Sequence, residues 1–353
     1  MAPHLILIGG FLGAGKTTLM LRAAERLRGM GRRVGIVLND QGGELVDTRL
    51  AEAAGFPAQE ITGGCFCCRF SEFVRKLEQM DQPGSKLSPE FIFAEPVGSC
   101  TDLSATILQP LKRYYREQFR LAPLTVLVDP ARAEEFLRPD ADPLLTYLFR
   151  KQIAEADLVR FSKADLYRQF PALDGVDARP LSAQTGPGIQ EWLDEVLSES
   201  AVAGSRILEI DYARYADAEA VLSWLNWQGE LCLRRALTPA AVIGPLMARM
   251  DQLLSARQIS IAHLKVLARS ANGSLKASLC RNGGQPRVDA TLDAPPARRH
   301  ALTINLRAAG APDELSSALE LALRDLPGRV RTVHMESFRP RPPVPEHRFE
   351  EVA

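Results

Sequence analysis

The sequence predicts an α/β fold, with a mostly parallel sheet covered by helices on both faces, followed by a smaller C-terminal α+β domain. Over roughly the first 200 residues, short apolar runs alternate with helical patterns, which is typical of parallel strands joined by helices. A small and polar stretch at residues 198–205 ends this alternation. Beyond it, Asn-Gly-Gly at residues 282–284 separates two strand patterns and indicates antiparallel hairpins.

The predicted domains are residues 1–200, residues 206–338 and an extended tail at 339–353. In the first domain, strands are expected at residues 4–8, 34–38, 91–94, 124–128 and 158–161, and helices at 17–28, 72–79, 103–118 and 189–197. A break is expected at Pro110, since proline lacks the N–H that a helix interior uses. In the second domain, strands are expected at 230–235, 262–268, 274–279, 287–291, 301–306 and 331–336, and helices at 239–254 and 312–324.

Composition and charge exclude several classes of protein. Lys+Arg and Asp+Glu both number 43, whereas nucleic-acid binding usually depends on a basic excess. No apolar run approaches the roughly 20 residues of a spanning helix, and the first one lacks the features of a signal peptide. We therefore expect a cytoplasmic protein that binds neither nucleic acid nor membrane. Prolines and acids interrupt the arginines of the tail, which predicts a solvated segment.

Residues 10–17, Gly-Phe-Leu-Gly-Ala-Gly-Lys-Thr, fit the phosphate-binding pattern G-x-x-x-x-G-K-[ST]. An apolar strand precedes the motif and a helix follows it, which is the context that this motif requires. Lys16 is expected to reach the β- and γ-phosphates of a nucleotide, and the Thr17 hydroxyl to ligate Mg²⁺. The predicted phosphate-binding residues are Gly10, Gly13, Ala14, Gly15, Lys16, Thr17 and Thr18.

Two later segments are similar to the guanine-binding elements of GTPases. Ser-Lys-Ala-Asp at residues 162–165 is similar to N-K-x-D, in which the Asp carboxylate accepts two hydrogen bonds that adenine cannot offer. Residues 182–186 are similar to the S-A-K loop, whose backbone meets guanine O6. Ser162 replaces the usual Asn, and one lost neutral hydrogen bond of about 0.5–1.5 kcal/mol loosens the preference for GTP without removing it. The predicted guanine-binding residues are Lys163, Asp165, Ser182, Ala183 and Gln184.

Acidic residues follow two of the predicted strands. Glu95 ends an apolar strand and Gly98 follows it, an arrangement like Walker B, so Glu95 is expected to orient water or hold the Mg²⁺ shell and Gly98 to sense the γ-phosphate. The loop at residues 38–47 is the predicted switch loop, and it carries Asp40 and Asp47, candidates for the Mg²⁺ sphere or the attacking water. A role as helix caps or turn residues is the alternative. The predicted catalytic residues are Lys16, Glu95 and Asp40, and the predicted Mg²⁺ ligands are Thr17 and Asp40.

Three cysteines crowd one glycine-rich loop, at Cys65, Cys67 and Cys68. Soft thiolates suit zinc or another thiophilic metal, and three ligands with an open fourth position suit transfer of the ion rather than a structural site. Redox chemistry and simple packing are the alternatives. Cys100 is expected either to approach the nucleotide or the metal loop, or to be a small buried residue. Cys232 and Cys280 are expected in the core.

The motifs and their order along the chain resemble those of the CobW family of P-loop GTPases. These motifs are the phosphate loop at residues 9–18, Asn39-Asp40, the Cys-x-Cys-Cys loop at 64–68, the strand end at Glu95 and the two guanine elements. The resemblance covers roughly the first 200 residues. It implies a metallochaperone that uses GTP and Mg²⁺ and handles zinc or cobalt for a client metalloprotein. The sequence departs from the family at Ser162, at residues 95–100 and in lacking a His-rich loop.

Three functions fit these patterns. The first is a GTP-hydrolysing metallochaperone that binds zinc at the Cys-x-Cys-Cys loop and delivers it to a client protein. The second is a metal- or redox-responsive GTP-binding regulator, and the third is a factor in corrinoid-cofactor assembly. The first is favoured because the metal loop closely follows the predicted switch loop, so that nucleotide and metal binding would be coupled by about 1–3 kcal/mol.

Overall fold

The computed structural model describes residues 2–40, 46–81, 88–289 and 294–353 and divides into two compact units. The first unit comprises Met1–Ala218 with Pro342–Ala353, and the second comprises Glu219–Arg341. The sequence analysis placed the domain boundary at residues 200–206. In the structure the first unit continues to Ala218, because Tyr215 and Ala218 pack against Leu148.

The first unit is built on a parallel sheet. Its strands are β1 His4–Gly10, β2 Val34–Asn39, β3 Ala58–Ile61, β4 Phe91–Glu95, β5 Arg120–Leu121, β6 Thr125–Val128, β7 Leu158–Phe161 and β8 Ala178–Pro180. Its helices are α1 Lys16–Gly29, α2 Val46–Ala53, α3 Phe70–Met80, α4 Gln109–Tyr114, α5 Pro130–Leu137, α6 Pro143–Glu155, α7 Ile189–Val196 and α8 Tyr212–Ala220. The strand order is β3-β2-β4-β1-β6-β7-β8, and β5 also pairs with β1.

Strand order determines where this unit can bind a ligand. Strands β1, β2 and β4 are apolar and almost wholly buried, as central strands of a parallel sheet are. Strand β1 lies between β4 and β6, both of which follow it in sequence. The connection after β1 runs toward β2 and the connection after the adjacent β6 runs the other way, toward β7. The crevice between the carboxyl ends of β1 and β6 is therefore a topological switch point, where ligands of such sheets bind.

The second unit is an antiparallel sheet with two helices. Its strands are β9 Ser223–Leu237, β10 Ser260–Ser270, β11 Gly273–Leu279, β12 Arg287–Asp289, β13 Ala297–Ala309 and β14 Gly328–Phe338, in the order β12-β11-β10-β13-β9-β14. Helices α9 Pro239–Ala256 and α10 Pro312–Arg324 pack on it, and their apolar residues share one core with the sheet. The expected α/β fold with a smaller α+β unit is confirmed.

Some local predictions differ from the structure. The helix predicted at residues 103–118 is a π-helical segment, Ser104–Leu108, followed by α4, and Pro110 lies in the first turn of α4, where its missing N–H has no role. Cys232 is exposed rather than in the core, because side chains alternate along β9 and Cys232 lies on the outward face. Residues 41–45 of the predicted switch loop and 290–291 of a predicted strand lie outside the described residues. Within the described ranges, no helix is both long and apolar enough to cross a membrane.

Candidate nucleotide and metal site

The loop between β1 and α1 has the form of an anion-binding site. Gly15 caps α1 in the left-handed conformation, with φ at +91°, and a Cβ there would meet no atom within 4 Å. Helix α1 has no side-chain cap and no acidic residue in its first turn, so no carboxylate of the helix itself competes for its first N–H groups and the positive end of its dipole. Such a helix start binds phosphate.

Lys16, Thr17 and Glu95 meet beside this loop. The buried Lys16 Nζ donates to the Gly10 carbonyl at 2.9 Å and lies 3.8 Å from Glu95 Oε1. The Thr17 hydroxyl donates to Glu95 Oε2 at 2.8 Å. A Cβ on Gly98 would lie 2.8 Å from Leu12 Cδ2 and 3.0 Å from Lys16 Nζ, so a larger residue there would have to displace these side chains. Residues that are far apart in sequence thus form one cationic, hydroxyl-bearing and carboxylate-bearing pocket.

The remaining predicted phosphate and Mg²⁺ residues lie around this pocket by position. Gly13 and Thr18 flank the α1 start, and the buried Ala14 donates its N–H to the Phe11 carbonyl at 3.1 Å. Asp40 directly follows β2, and Leu38 pairs with Glu95 across β2 and β4, so Asp40 and Glu95 stand at the same edge of the sheet. Asp47, predicted in a loop, is buried in the first turn of α2.

The two predicted guanine elements contact each other. Ser182 Oγ donates to Asp165 Oδ1 at 2.6 Å, and the Ala164 N–H donates to the Leu181 carbonyl at 3.1 Å. Ser182 also accepts a hydrogen bond from the Gly186 N–H, at 2.9 Å, which closes the turn that contains Ala183 and Gln184. The second loop thereby orients the carboxylate of Asp165.

Asp129 belongs to the same site, and the sequence analysis missed it. It caps α5 at the end of β6, and it accepts hydrogen bonds from Lys163 Nζ at 2.5 Å and from the Tyr167 hydroxyl at 3.2 Å. Lys163 has a left-handed backbone, with φ at 57°, so this ion pair fixes an otherwise unfavourable conformation. An aspartate after an apolar strand, next to the P-loop strand in the sheet, was the signal that could have found it.

The thiols of Cys65, Cys67 and Cys68 converge. The Sγ–Sγ distances are 2.9 Å between Cys65 and Cys67, 3.0 Å between Cys65 and Cys68, and 3.8 Å between Cys67 and Cys68. Two sulfurs bound tetrahedrally to one zinc ion at about 2.3 Å each lie about 3.8 Å apart. The Cys67–Cys68 pair has this separation, and the two pairs that include Cys65 would each open by about 1 Å or less around an ion. The donor set therefore fits a thiophilic ion.

Cys65 lies at the centre of the thiol group. Hydrogen bonds with Cys100, Cys67 and Cys68 lower the pKa of Cys65 well below its usual value. The hydrogen bond to Cys65 raises the pKa of the fully buried Cys67 and brings the pKa of Cys68 to about 12. The group therefore favours one thiolate surrounded by protonated thiols. Cys100, for which the sequence left several roles open, is part of this group.

Asn39 holds the cysteine loop in place. Its Nδ2 donates to the Ile61 carbonyl at 3.1 Å and to the Gly64 carbonyl at 2.7 Å, and its Oδ1 accepts from the Phe66 N–H at 2.8 Å. Because Asn39 ends β2 and directly precedes Asp40, the loop with the thiols and the predicted switch loop are joined at one residue.

The C-terminal tail contacts the cysteine loop, which the prediction of a solvated tail did not include, although Arg339 and Arg341 are exposed as predicted. The Val344 N–H donates to Cys68 Sγ at 3.2 Å, and the Glu346 N–H donates to the Cys67 carbonyl at 2.9 Å. Arg348 pairs with the buried Asp102 at 2.8 Å. Local composition suggested solvation, but these partners lie more than 200 residues away in sequence and leave no local signal.

The nucleotide-binding domain model described as CobW/HypB/UreG matches residues 4–184, just over half of the chain. The chain belongs to the CobW/HypB/UreG family. This confirms the resemblance found in the sequence, and the matched range contains the phosphate loop, the cysteine loop and most of the guanine elements.

Curated relatives of this CobW/HypB/UreG protein are distant. The zinc chaperone CobW of Sinorhizobium sp is 27% identical over 187 residues, which cover 45% of this chain and 50% of the relative. The zinc-regulated GTPase metalloprotein activator 1 of Schizosaccharomyces pombe is 24% identical over 167 residues, covering 45% and 38%. The chain thus spans about half the length, or less, of the curated relatives it matches.

Two solved structures are among those found similar. HypB from Helicobacter pylori in complex with nickel is 16% identical, with a TM-score of 0.41, and the match covers 57% of this chain and 92% of that one. The Zn(II)-bound YjiA GTPase from E. coli is 14% identical, with a TM-score of 0.34, and the match covers 91% and 99%.

Proposed function

We propose that this protein is a GTP-hydrolysing metallochaperone that carries zinc as its cargo at Cys65, Cys67 and Cys68 and delivers it to a client metalloprotein in the cytoplasm. The observation that carries the proposal is the convergence of three thiols within zinc-binding distance, in a chain that also has a phosphate-binding helix start. The names of the two curated relatives, a zinc chaperone and a zinc-regulated GTPase metalloprotein activator, support zinc as the cargo.

On the nucleotide side, the proposal assigns each residue a role. GTP is held by the start of α1, with Lys16 on the β- and γ-phosphates. Thr17 is the Mg²⁺ ligand, and the ion neutralises charge on the phosphates when it is bound. Glu95 already accepts the Thr17 hydroxyl and lies beside Lys16, so it is placed to hold an attacking water through its carboxylate. Asp40 remains the second candidate for that role.

Coupling between the sites follows from shared backbone. Asn39 fixes the cysteine loop by three hydrogen bonds, and the next residue begins the predicted switch loop. A movement of that segment on GTP binding or hydrolysis changes the support of the thiols, and with it the affinity for the ion. A client then takes zinc in the nucleotide state with the weaker thiol site.

The experiment is GTP turnover with and without one equivalent of Zn²⁺, in the wild type and in a C65S/C67S/C68S variant. We expect zinc to change the wild-type rate and to leave the variant unaffected. A Cys232→Ser variant serves as the matched control, because Cys232 is exposed on the second unit. If zinc leaves the wild-type rate unchanged, the proposed coupling is wrong. If zinc does not bind at all, the proposed metallochaperone function is wrong as well.

The 2.9 Å contact between the sulfurs of Cys65 and Cys67 favours a thiol-redox regulator as the second candidate. Oxidation by a mild disulfide reagent would join such a pair with little movement. This function predicts that a Cys65–Cys67 disulfide changes GTP turnover in the absence of any metal. Mass spectrometry of the oxidised protein, together with its turnover, separates the two candidates.

A further inference from the structure

The three thiols of the cysteine loop differ in how far they are exposed. Cys65 and Cys67 are buried, at 4% and 2% exposed, whereas Cys68 is only half-buried. An ion, or a donor atom of another protein, therefore has its open route to the thiols on the side of Cys68. The Val344 N–H of the C-terminal tail donates to Cys68 Sγ at 3.2 Å, so the tail lies on that route.

Glu346 anchors the tail at the start of α3. This helix directly follows the cysteine loop, and its N-cap, Arg69, makes no side-chain cap. The carboxylate of Glu346 accepts hydrogen bonds from the Ser71 N–H at 2.9 Å and from the Ser71 hydroxyl at 2.5 Å, where the helix dipole favours an anion. The Glu346 N–H also donates to the Cys67 carbonyl at 2.9 Å. The tail thus supplies the cap that α3 lacks, two residues from Val344.

Arg348 is the second anchor. Its Nε donates to Oδ2 of the buried Asp102 at 2.8 Å, and its Nη2 donates to the Leu208 carbonyl at 2.8 Å. Between the two anchors, the His347 ring meets the Phe70 ring edge-on, with 5.2 Å between their centres. Release of Arg348 leaves a buried carboxylate without its cation, so the seated position of the tail is the favoured one.

The tail has little structure of its own to lose. Residues 342–353 contain neither a helix nor a strand, and the prolines at 342, 343 and 345 have no N–H to donate. The side chain of Val344 is 74% exposed. A segment held by a few polar contacts and little buried apolar surface opens at a low cost in free energy. The tail can therefore leave the cysteine loop without the unfolding of any helix or strand.

We propose that residues 342–353 form a displaceable strap, which controls how fast the thiols of the cysteine loop take up and release their ion. The inference rests on the proposed metallochaperone function, in which the ion is cargo and has to move. While the strap is seated, Val344 occupies the approach to Cys68. When the strap leaves, a donor of the client reaches the ion from that side. Glu346 and Arg348 determine how often this happens, because they are the polar anchors of the strap.

The test measures two rates in the full chain, the uptake of Zn²⁺ by the metal-free protein and its release to an excess of a chromophoric chelator. In Glu346→Ala, both rates are expected to rise by about fivefold, because each is proportional to the time that the strap spends displaced. In Arg348→Ala they are expected to rise by about tenfold or more. The equilibrium affinity for Zn²⁺ should change less than either rate. The matched controls are Glu350→Ala and Arg341→Ala, at exposed positions, which should keep the wild-type rates.

A strap and a merely supporting contact give different results. If the tail only supports the loop, release becomes faster while uptake stays the same, and the affinity falls in proportion; this result overturns the inference. Unchanged rates in Glu346→Ala overturn it as well, and both results leave the proposed function standing. Glu346 and Ser71 are both exposed, so this variant leaves no buried group unpaired and is expected to fold.

A second measurement separates the inference from the proposed function. If the wild type does not bind Zn²⁺, the proposed function is wrong, and the strap is then tested in the metal-free protein. The rate at which iodoacetamide alkylates Cys68, followed by peptide mass spectrometry, is expected to be about fivefold higher in Glu346→Ala than in Glu350→Ala. Equal alkylation rates in these two variants would mean that the tail does not restrict access to Cys68.

Discussion

The phosphate pocket and the thiol group lie in the same unit but are assembled differently. The phosphate pocket comes mainly from one continuous stretch, the end of β1 and the start of α1, with Glu95 and Gly98 added from one other strand end. The thiol group draws on the cysteine loop, on Cys100, on Asn39 and on the C-terminal tail. A phosphate needs many identical N–H donors, which one helix start supplies, whereas a soft metal needs a few side chains brought together from any direction.

This difference predicts how far the structural effect of a substitution extends from each site. A change in the phosphate loop affects a locally formed structure and leaves the thiols in place. The thiol group depends on contacts between distant segments, so changes far away in sequence reach it. The predictions below test that asymmetry, beginning with the largest expected effect.

Lys16→Ala should abolish nucleotide binding while sparing the thiols. The variant loses charge-assisted hydrogen bonds to the phosphates, worth about 1.5–3 kcal/mol each, so GTP affinity should fall by at least about 100-fold. Zinc affinity without nucleotide should remain at the wild-type value. Fluorescent GTP-analogue binding and chelator competition measure the two quantities. Lys76→Ala, on α3, is the control, and a loss of zinc affinity in Lys16→Ala would refute the asymmetry.

The phosphate loop and the fold could be predicted because both depend on patterns among residues that are close in sequence. The glycines, Lys16 and Thr17 are adjacent, and the preceding apolar strand determines where their backbone points. The parallel sheet followed from buried runs such as residues 34–38, which carry no polar side chain. Short helices such as α2 were missed because eight residues hold too few turns for a clear periodicity.

The thiol group was only half predictable. The Cys-x-Cys-Cys spacing indicated a metal loop, but the contact of Cys100 with Cys65 depends on how β4 ends beside that loop. The ion pair between Lys163 and Asp129 likewise joins residues from two neighbouring strands. Most of all, proline and arginine in the tail suggested solvation, although Arg348 in fact neutralises the buried Asp102. Tertiary pairing of this kind has no local pattern.

Deleting residues 342–353 should make the thiol group more reactive, although these residues lie more than 200 positions away from it in sequence. The variant loses the hydrogen bond from Val344 to Cys68, and a net loss of about 1 kcal/mol corresponds to roughly a fivefold faster reaction of Cys68 with a thiol reagent. The rate, followed by peptide mass spectrometry, is compared with that of a shorter deletion of residues 350–353, which leaves Val344 and Arg348 in place. Equal rates in the two deletions would show that the tail does not protect the loop.

The smallest expected effect concerns Glu155, a buried residue at the end of α6. Its carboxyl group accepts hydrogen bonds from the Thr101 hydroxyl at 2.9 Å and from the Ser104 N–H at 3.2 Å. Burial raises the pKa of Glu155 from 4.5 to about 8. The unfolded chain releases this proton near pH 4.5, whereas the folded chain keeps it until about pH 8. The contribution of Glu155 to stability is therefore fully present at low pH and is lost as the pH rises through this window.

Glu155→Gln removes the titration while keeping a side chain of the same size. Between about pH 5 and about pH 8.5, the midpoint of thermal unfolding of the wild type should fall by a few degrees more than that of the variant. Glu199→Gln, at an exposed position of the same unit, should follow the wild type. Parallel curves for the wild type and Glu155→Gln would mean that Glu155 is ionised in the folded protein. Two buried carboxylates, Glu155 and Asp102, would then carry charge near each other, and the pairing of Asp102 with Arg348 of the tail would matter more for the stability of this unit.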